Sequence, residues 1–227
     1  MTDQTHARHL DGIYRHQRFI YDLTREYYLL GRDRLIAELV PTPNGSILEI
    51  GCGTARNLIQ AAGLYPSAKL YGVDLSSMML RSAAGNIARR GLAHRVRLGF
   101  GDATSFDAQE LFAVASFDRI FMSYTLSMIP GWQGALRHAL GLLAPNGSLH
   151  VVDFGACERL PPAFKRGLDA WLQRFSVTPR TALVPELHAL ARDHACQLNT
   201  ASPFRGYATY AVLRKSGSLP PGVTRQR

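Results

Sequence analysis

The residues best placed to do chemistry are two glycines and two acids that follow short apolar segments. Gly51 and Gly53 come directly after the run Ser46–Ile50, Asp74 follows a second apolar run, and Asp102 a third. Glycines let the backbone turn sharply and approach a ligand closely, and the start of the following helix offers unpaired N–H groups. A carboxylate at Asp74 can accept hydrogen bonds from both hydroxyls of a ribose, and one at Asp102 can accept from an amine such as that of adenine. The pattern predicts a site for a nucleoside cofactor.

The elements that must position these residues are strands alternating with helices. This alternation predicts an α/β fold with a doubly wound, mostly parallel sheet, in which the ligand crevice lies outside the carboxyl ends of the strands. Two strand-like runs near the end, 197–204 and 207–213, predict an antiparallel hairpin that brings the sheet to seven strands. The other predicted strands are 46–50, 69–73, 95–100, 117–123 and 148–154, the predicted helices are 54–64, 76–90, 132–143, 163–175 and 184–194, and 107–110 is predicted to be a loop.

The N-terminal region carries a second pattern, a stripe of alternating tyrosines and arginines. Its members are spaced four and three residues apart, which places them on one face of a single helix over Gly12–Asp33. Such a helix is either a lid over the pocket, an interfacial helix with its apolar face in lipid, or an ordinary amphipathic helix. We therefore divide the chain into a helical, membrane-facing lid (1–40), a catalytic domain (41–215) and a disordered tail (216–227). The stripe consists of Tyr14, Arg18, Tyr21, Arg25, Tyr28 and Arg32.

The composition narrows the class of protein. The three cysteines are far apart and show no metal-ligand spacing, so we expect a reducing cytoplasm, no disulfide framework and no metal site. No apolar run approaches the length needed to cross a bilayer, and the polar N-terminus is not a secretory signal. The net charge is +9 and the isoelectric point about 9.9. Such a charge favours an anionic partner, either nucleic acid or a membrane surface, unless it is simply a solvated basic surface.

The first glycine turn resembles that of the class I S-adenosylmethionine-dependent methyltransferases. The turn reads Glu49-Ile50-Gly51-Cys52-Gly53-Thr54, and Arg56 replaces the third glycine of a dinucleotide fingerprint. The methyltransferases commonly have a further glycine where this chain has Ala55. The resemblance implies S-adenosylmethionine as cofactor. The residues it implies in cofactor binding are Tyr21, Gly51, Cys52, Gly53, Thr54, Asp74, Leu75, Met79, Asp102, Ala103 and Ser123.

Two further segments, Arg15–Asp33 and Ser123–Pro130, are similar to the N-methyltransferases of bacterial betaine-lipid synthesis. That resemblance implies successive methylation of the amine of diacylglyceryl-homoserine to the trimethylated betaine lipid. It also implies an enzyme bound peripherally to an anionic membrane on its cytoplasmic face. For the acceptor we expect aromatic rings that hold a methylated nitrogen by cation–π contacts, and an arginine that pairs with the carboxylate of the head group. These residues are Tyr14, Tyr28, Tyr124 and Arg25.

Other functions stay open at this point. Phosphatidylethanolamine N-methyltransferases share much of the same layout, and a small-molecule or RNA methyltransferase is another alternative, although no RNA-binding motif is appended and we expect no nucleic acid partner. A non-catalytic nucleoside-binding protein is the alternative from a different class. No catalytic base is required if the site disfavours the ammonium form of the acceptor, and His16 and His150 are the conceivable bases.

Overall fold

The computed structural model describes residues 29–216, which form a seven-stranded sheet flanked by helices. The strands are β1 (Ser46–Ile50), β2 (Lys69–Asp74), β3 (Val96–Phe100), β4 (Phe117–Ser123), β5 (Leu143–Phe154), β6 (Cys196–Ala201) and β7 (Ala208–Lys215). The helices are α1 (Arg32–Ala37), α2 (Arg56–Leu64), α3 (Ser77–Arg89), α4 (Ala108–Phe112), α5 (Trp132–Gly141), α6 (Pro162–Gln173) and α7 (Leu183–Asp193). A short 3₁₀ helix spans Leu126–Met128, and one turn with positive φ angles spans Pro203–Gly206.

The strand order is β3-β2-β1-β4-β5-β7-β6. The first five strands pair in parallel, whereas β7 pairs antiparallel to both β5 and β6. The predicted fold class and the C-terminal hairpin are therefore confirmed. The chain runs outward from β1 in one direction to β3 and then returns to place β4 on the other side of β1. This switch point is where open α/β sheets place their ligand crevice.

The central strands are buried on both faces, which explains why they read as continuous apolar runs. Ile47 packs in the hydrophobic cluster under α1, α2 and α3, while Leu48 and Ile50 pack in the cluster under α4, α5 and α7. Burial on both faces fixes the register of β1, because a slip by one residue would exchange the two sets.

Several predicted boundaries were wrong. The predicted strand 197–204 ends at Ala201, and the predicted helix 132–143 ends at Gly141. Three further differences have a clear local reason. Helix α2 begins at Arg56 rather than at Thr54, because Ala55 adopts the left-handed conformation at φ 63°. The predicted loop at 107–110 is the start of α4, because the carboxylate of Asp107 caps the backbone N–H groups of Gln109 and Glu110. Strand β5 begins at Leu143, with a register shift against β4 before the regular ladder resumes at Ser148.

The predicted helix over Gly12–Asp33 does not continue to its proposed end. Gly31 has a φ of 87°, so the backbone breaks there and a new helix, α1, begins at Arg32. Most of the stripe and most of the predicted 1–40 segment lie outside the described residues, as does the predicted tail beyond Ser216. Within residues 29–216, no helix combines the length and the apolar character needed to cross a membrane.

His150 lies in the middle of β5 and should make the protein sensitive to acid. Its side chain is buried, its Nε2 lies 2.9 Å from the Ser148 hydroxyl, and burial beside Arg119 and Arg214 lowers its pKa to about 3. The folded protein keeps this ring neutral, whereas the unfolded chain takes up a proton as the pH falls below about 6.5. His150 should therefore remove about 2 kcal/mol from the free energy of unfolding between pH 7 and pH 5.

The substitution His150→Gln should remove that loss, because glutamine does not titrate. Urea unfolding at pH 7 and pH 5 measures it, with His188→Gln on the exposed surface of α7 as the control. The control should keep the full wild-type dependence on pH. An equally steep acid loss in His150→Gln would contradict the assignment.

Candidate active site

The first glycine turn follows β1 directly and is tied to the end of β2. The backbone N–H groups of Gly51 and Cys52 both donate to the carbonyl of Val73, at 2.8 and 3.0 Å. Gly51 and Gly53 have φ angles of 76° and 52°, a region that disfavours side chains. A Cβ atom on Gly51 would also lie 2.3 Å from Cγ2 of Thr125, in the segment that follows β4. The turn therefore needs glycine at this position for both its conformation and its packing.

Asp74 joins the glycine turn to the start of α3. Its Oδ2 accepts from the N–H of Gly53 at 2.8 Å, and its Oδ1 accepts from the N–H of Ser76 at 2.9 Å. A carboxylate has about four acceptor sites, so it can hold the turn and still accept from a ribose hydroxyl. Ser76 in turn caps α3 by accepting from the N–H of Met79, which is buried.

Asp102 lies at the same edge of the sheet, after β3. Its Oδ1 accepts from the backbone N–H and from the hydroxyl of Thr104, at 2.7 and 2.5 Å. Because β1, β2 and β3 are adjacent parallel strands, their carboxyl ends bring the glycine turn, Asp74 with Leu75, and Asp102 with Ala103 to one edge.

A cavity of about 440 Å³ opens beside the glycine turn. Four of the residues predicted to bind the cofactor line it, namely Gly51, Cys52, Thr54 and Ser123, whereas Asp74 and Asp102 lie outside its lining. The other lining residues come from the segment around α1, the end of β1, α2 and α3. They are Leu29, Arg32, Glu49, Arg56, Asn57, Ile59, Asn86, Arg89 and Arg90.

Two buried side chains of opposite charge lie in the lining. Glu49 is 1% exposed and accepts from Nδ2 of Asn57 at 2.6 Å, while Arg32 is 6% exposed. Ser123 adds a buried hydroxyl that has no hydrogen-bond partner among the described residues. A carboxylate and a guanidinium in one cavity suit a zwitterion, because the first attracts an ammonium group and the second a carboxylate. The methionine end of S-adenosylmethionine carries both groups, so this lining fits that cofactor.

The sequence patterns indicated no role in the site for Glu49, Asn57 or Arg32. Glu49 could have been found, because a charged residue inside an apolar strand next to the glycine turn is unusual. Arg32 belonged to the predicted stripe, but its burial depends on the break at Gly31 and on the docking of α1 against the sheet.

Tyr124 follows β4 and is buried rather than open to the cavity. It is 1% exposed, its ring packs edge-to-face on Phe154 at 4.7 Å, and its hydroxyl donates to the carbonyl of Leu30 at 2.6 Å. Burial raises the pKa of this phenol well above its usual range. Tyr124 thus fastens the segment before α1 to the end of β4, and its contact with an acceptor stays a prediction. The other predicted acceptor residues, Tyr14, Arg25 and Tyr28, and the predicted cofactor ligand Tyr21 lie outside the described residues.

Of the two histidines considered as bases, His150 lies within the described residues, and it is not placed to act in this cavity. His150 lies two residues before the point where β5 pairs with Ser123, and it is absent from the lining. Its lowered pKa keeps it neutral at physiological pH, and His16 lies outside the described residues. No described group of three or more His, Cys, Asp or Glu side chains could hold a metal ion.

The fold and the cavity define an α/β domain that binds a nucleoside cofactor carrying an amino-acid end. Comparison with known proteins specifies it further. A family model described as "Methyltransferase domain" matches residues 48–149. Nocamycin O-methyltransferase of Saccharothrix syringae is 29% identical over 202 residues, covering 87% of this chain and 68% of that protein. Methyltransferase str2 of Strobilurus tenacellus is 32% identical over 164 residues, covering 69% of this chain and 51% of that protein.

The solved structures agree on the fold. The plantazolicin methyltransferase, solved with S-adenosylhomocysteine, superposes with a TM-score of 0.68 at 16% identity, covering 94% of this chain and 97% of that one. The chain is a class I S-adenosylmethionine-dependent methyltransferase, and S-adenosylmethionine is its cofactor. It spans between half and about two thirds of the length of the two curated relatives.

If Arg32 holds the carboxylate of the cofactor, its removal should weaken the binding only of ligands that carry the amino-acid end. We expect Arg32→Met to weaken binding of S-adenosylhomocysteine about tenfold or more, the usual effect of removing a hydrogen bond to a charged group. Binding of methylthioadenosine, which lacks the amino-acid end, should change by less than about twofold. Titration calorimetry with both ligands measures the difference.

The control for Arg32 is Arg34→Met on the same helix. Arg34 pairs with Glu38 at 2.7 Å on the exposed side of α1, outside the lining of the cavity. We expect its removal to leave the affinity for both ligands unchanged. Equal losses for the two ligands in Arg32→Met would show that Arg32 supports the fold of the site rather than the amino-acid end.

Proposed function

We propose that this methyltransferase acts on the amine of a lipid head group and converts diacylglyceryl-homoserine by successive transfers to the trimethylated betaine lipid. The proposal rests on the similarity of Arg15–Asp33 and Ser123–Pro130 to that family. One observation carries it: the described end of the first segment reaches the cavity, where Leu29 and Arg32 form part of the wall, and Ser123 begins the second. The described end of one segment and the first residue of the other thus belong to the lining of the site in which transfer would take place.

The remaining task of the protein is to align the acceptor and to exclude water. The bound cofactor supplies an activated methyl group on its sulfonium, so the chain needs no strong base of its own. The acceptor amine must be neutral when it attacks, and burial of that amine against the cofactor would disfavour the ammonium form. Asp153, at the end of β5, is fully buried and bonded to backbone N–H groups, so it is not open to the acceptor.

An aromatic edge lies next to the segment that precedes α1. A Cβ atom on Gly31 would lie 3.4 Å from the ring of Phe204 and 3.5 Å from Val152. Phe204 belongs to the turn between β6 and β7 and is half exposed, with a φ of 54°. An exposed aromatic ring held beside the segment that precedes α1 suits the apolar part of a lipid.

The test is to incubate the purified protein with S-adenosylmethionine and either diacylglyceryl-homoserine or phosphatidylethanolamine in mixed micelles. Mass spectrometry of the extracted lipids should show mono-, di- and trimethylated homoserine lipid in turn. Methylation of phosphatidylethanolamine alone would replace the head group in the proposal. No methylation of either lipid, in protein that still binds S-adenosylhomocysteine, would refute a lipid amine as acceptor.

A small-molecule hydroxyl is the second candidate acceptor. The nocamycin O-methyltransferase, which matches over most of this chain, favours it. To separate the two candidates, an extract of the source cells is incubated with the protein and methyl-labelled S-adenosylmethionine and is then partitioned into a lipid and a polar fraction. A lipid acceptor would carry the label in the lipid fraction, whereas a small hydroxylated acceptor would leave that fraction unlabelled.

A lipid substrate requires the enzyme to reach a membrane surface, and we expect that contact to be electrostatic. The net charge is +9, and Arg81, Arg89 and Arg90 are exposed along α3. Each basic residue near an anionic surface contributes about 1 kcal/mol at modest salt. We expect the protein to sediment with vesicles of phosphatidylglycerol and phosphatidylcholine but not with phosphatidylcholine alone, and to be released by salt. Equal sedimentation with both vesicles would contradict this contact.

A further inference from the structure

The segment after β4, residues 124–129, packs against the glycine turn through Thr125. We call it the β4 turn. Tyr124 has a positive φ of 54°, Thr125 is buried, and the short 3₁₀ helix follows. Thr125 packs so closely on Gly51 that a single added carbon on that glycine would lie 2.3 Å from the methyl group of Thr125. Because Gly51 has no side chain of its own, the space above the glycine turn is set by where Thr125 lies.

One arginine holds the β4 turn from outside. Arg180 lies in the connection between α6 and α7, and its guanidinium donates to three carbonyls in and just after the 3₁₀ helix. Nε donates to Leu126 at 3.0 Å, and Nη2 donates to Ile129 at 2.8 Å and to Ser127 at 3.4 Å. The carbonyl of Leu126 also accepts from the N–H of Ile129 at 3.2 Å, whereas those of Ser127 and Ile129 lie in the last turn of the 3₁₀ helix or beyond it, where external donors are needed. The planar fork of arginine can meet several carbonyls at once.

Two further bonds fix the same turn. The N–H of Thr178, two residues before Arg180, donates to the carbonyl of Ser127 at 2.9 Å. From inside the sheet, the buried carboxylate of Asp153 accepts from the N–H of Ser127 at 3.1 Å and from that of Phe154 at 2.8 Å. The β4 turn is thus held between a buried carboxylate at the end of β5 and a guanidinium from the α6–α7 connection.

We propose that Arg180 is a positioning residue for the cofactor site: by holding the carbonyls of the β4 turn, it keeps Thr125 against Gly51 and thereby fixes the shape of the glycine turn. Arg180 is absent from the lining of the cavity, so it acts through the turn alone. Removal of its three bonds lets the β4 turn relax away from β1, and the glycine turn loses the packing that Thr125 gives to Gly51. The effect does not depend on the identity of the acceptor.

The chain offers a matched control at the other edge of the sheet. Arg95, just before β3, also donates to three carbonyls, those of Ala62, Tyr65 and Ala68, at 3.2, 2.7 and 3.3 Å. These carbonyls lie at the end of α2 and in the connection to β2, on the amino-terminal side of the strands and away from the glycine turn. Arg95→Met therefore removes the same kind of contact without touching the β4 turn.

The experiment compares Arg180→Met with Arg95→Met by titration calorimetry with S-adenosylhomocysteine and by urea unfolding. We expect both variants to lose stability, but only Arg180→Met to raise the dissociation constant, by about fivefold. A wild-type dissociation constant in folded Arg180→Met would show that Arg180 is only structural and would overturn the proposal. If Arg180→Met does not fold, Arg180→Lys decides in the same way: it keeps the charge but loses the fork, and about a twofold rise is expected.

A double-mutant cycle tests the route through Thr125. If Arg180 acts by placing Thr125, then in Thr125→Ala the further change Arg180→Met should have little additional effect on the dissociation constant. Fully additive effects of the two substitutions would show that Arg180 reaches the cofactor site by another route, and the proposed mechanism would be wrong.

Discussion

A Gly51→Ala variant is expected to bind S-adenosylhomocysteine about a hundredfold more weakly than the wild type. The new Cβ would lie 2.3 Å from Cγ2 of Thr125, a distance that no relaxation of one side chain relieves, because Thr125 is itself buried in the β4 turn. The backbone of Gly51 also has a φ of 76°, which alanine adopts only at a cost. Either the β4 turn or the glycine turn must move.

The matched control is Gly63→Ala. Gly63 lies in α2, and a Cβ there meets nothing within 4 Å, so the substitution should leave binding unchanged and stabilise the helix slightly. Calorimetry with S-adenosylhomocysteine and a thermal unfolding curve on both variants separate loss of the site from loss of the fold. Normal cofactor affinity in Gly51→Ala would mean that the cofactor does not depend on close packing of this turn.

The alternation of strands and helices was enough to predict the fold, because each buried strand has a continuous apolar run and each helix an apolar face. The limits of the elements were predicted less well where single residues decide them. Ala55 adopts a left-handed conformation that its sequence does not indicate, and Asp107 starts a helix in a segment that reads as an acidic loop. Both depend on a backbone conformation that the surrounding fold selects.

The residues of the candidate site also fall into two groups, those that the sequence could predict and those that it could not. The glycine turn and the acids at the strand ends were predictable, because their spacing along the chain follows the strands that carry them. The positions of Arg32 in the lining and of Arg180 on the β4 turn were not, since each depends on contacts between distant parts of the sequence that no local pattern encodes. Arg32 needs α1 to dock near the end of β1, and Arg180 needs the α6–α7 connection to pass over the β4 turn.

Asp74→Ala is expected to have the second largest effect, a loss of S-adenosylhomocysteine affinity on the order of fiftyfold. Alanine removes the carboxylate that would accept from the ribose hydroxyls, and it also releases the N–H groups of Gly53 and Ser76 that Asp74 now holds. The glycine turn and the start of α3 would lose the carboxylate that holds both of them. The affinity would therefore fall for two reasons: the contact with the ribose is lost, and the site is less preorganised before the cofactor binds.

Asp107→Ala is the control variant for Asp74→Ala. It shows how much of the effect comes simply from removing a carboxylate that caps backbone N–H groups at the start of a helix. Asp107 also accepts from two backbone N–H groups, of Gln109 and Glu110 at 2.8 and 3.0 Å, but at the start of α4, and it is exposed. Its removal should cost about 1 kcal/mol in the free energy of unfolding and nothing in affinity. Asp74→Asn keeps one acceptor oxygen and should bind more tightly than Asp74→Ala. If folded Asp74→Ala bound S-adenosylhomocysteine as well as Asp107→Ala does, the carboxylate would not contact the ribose, and the cofactor would have to lie entirely along the cavity beside Glu49 and Arg32.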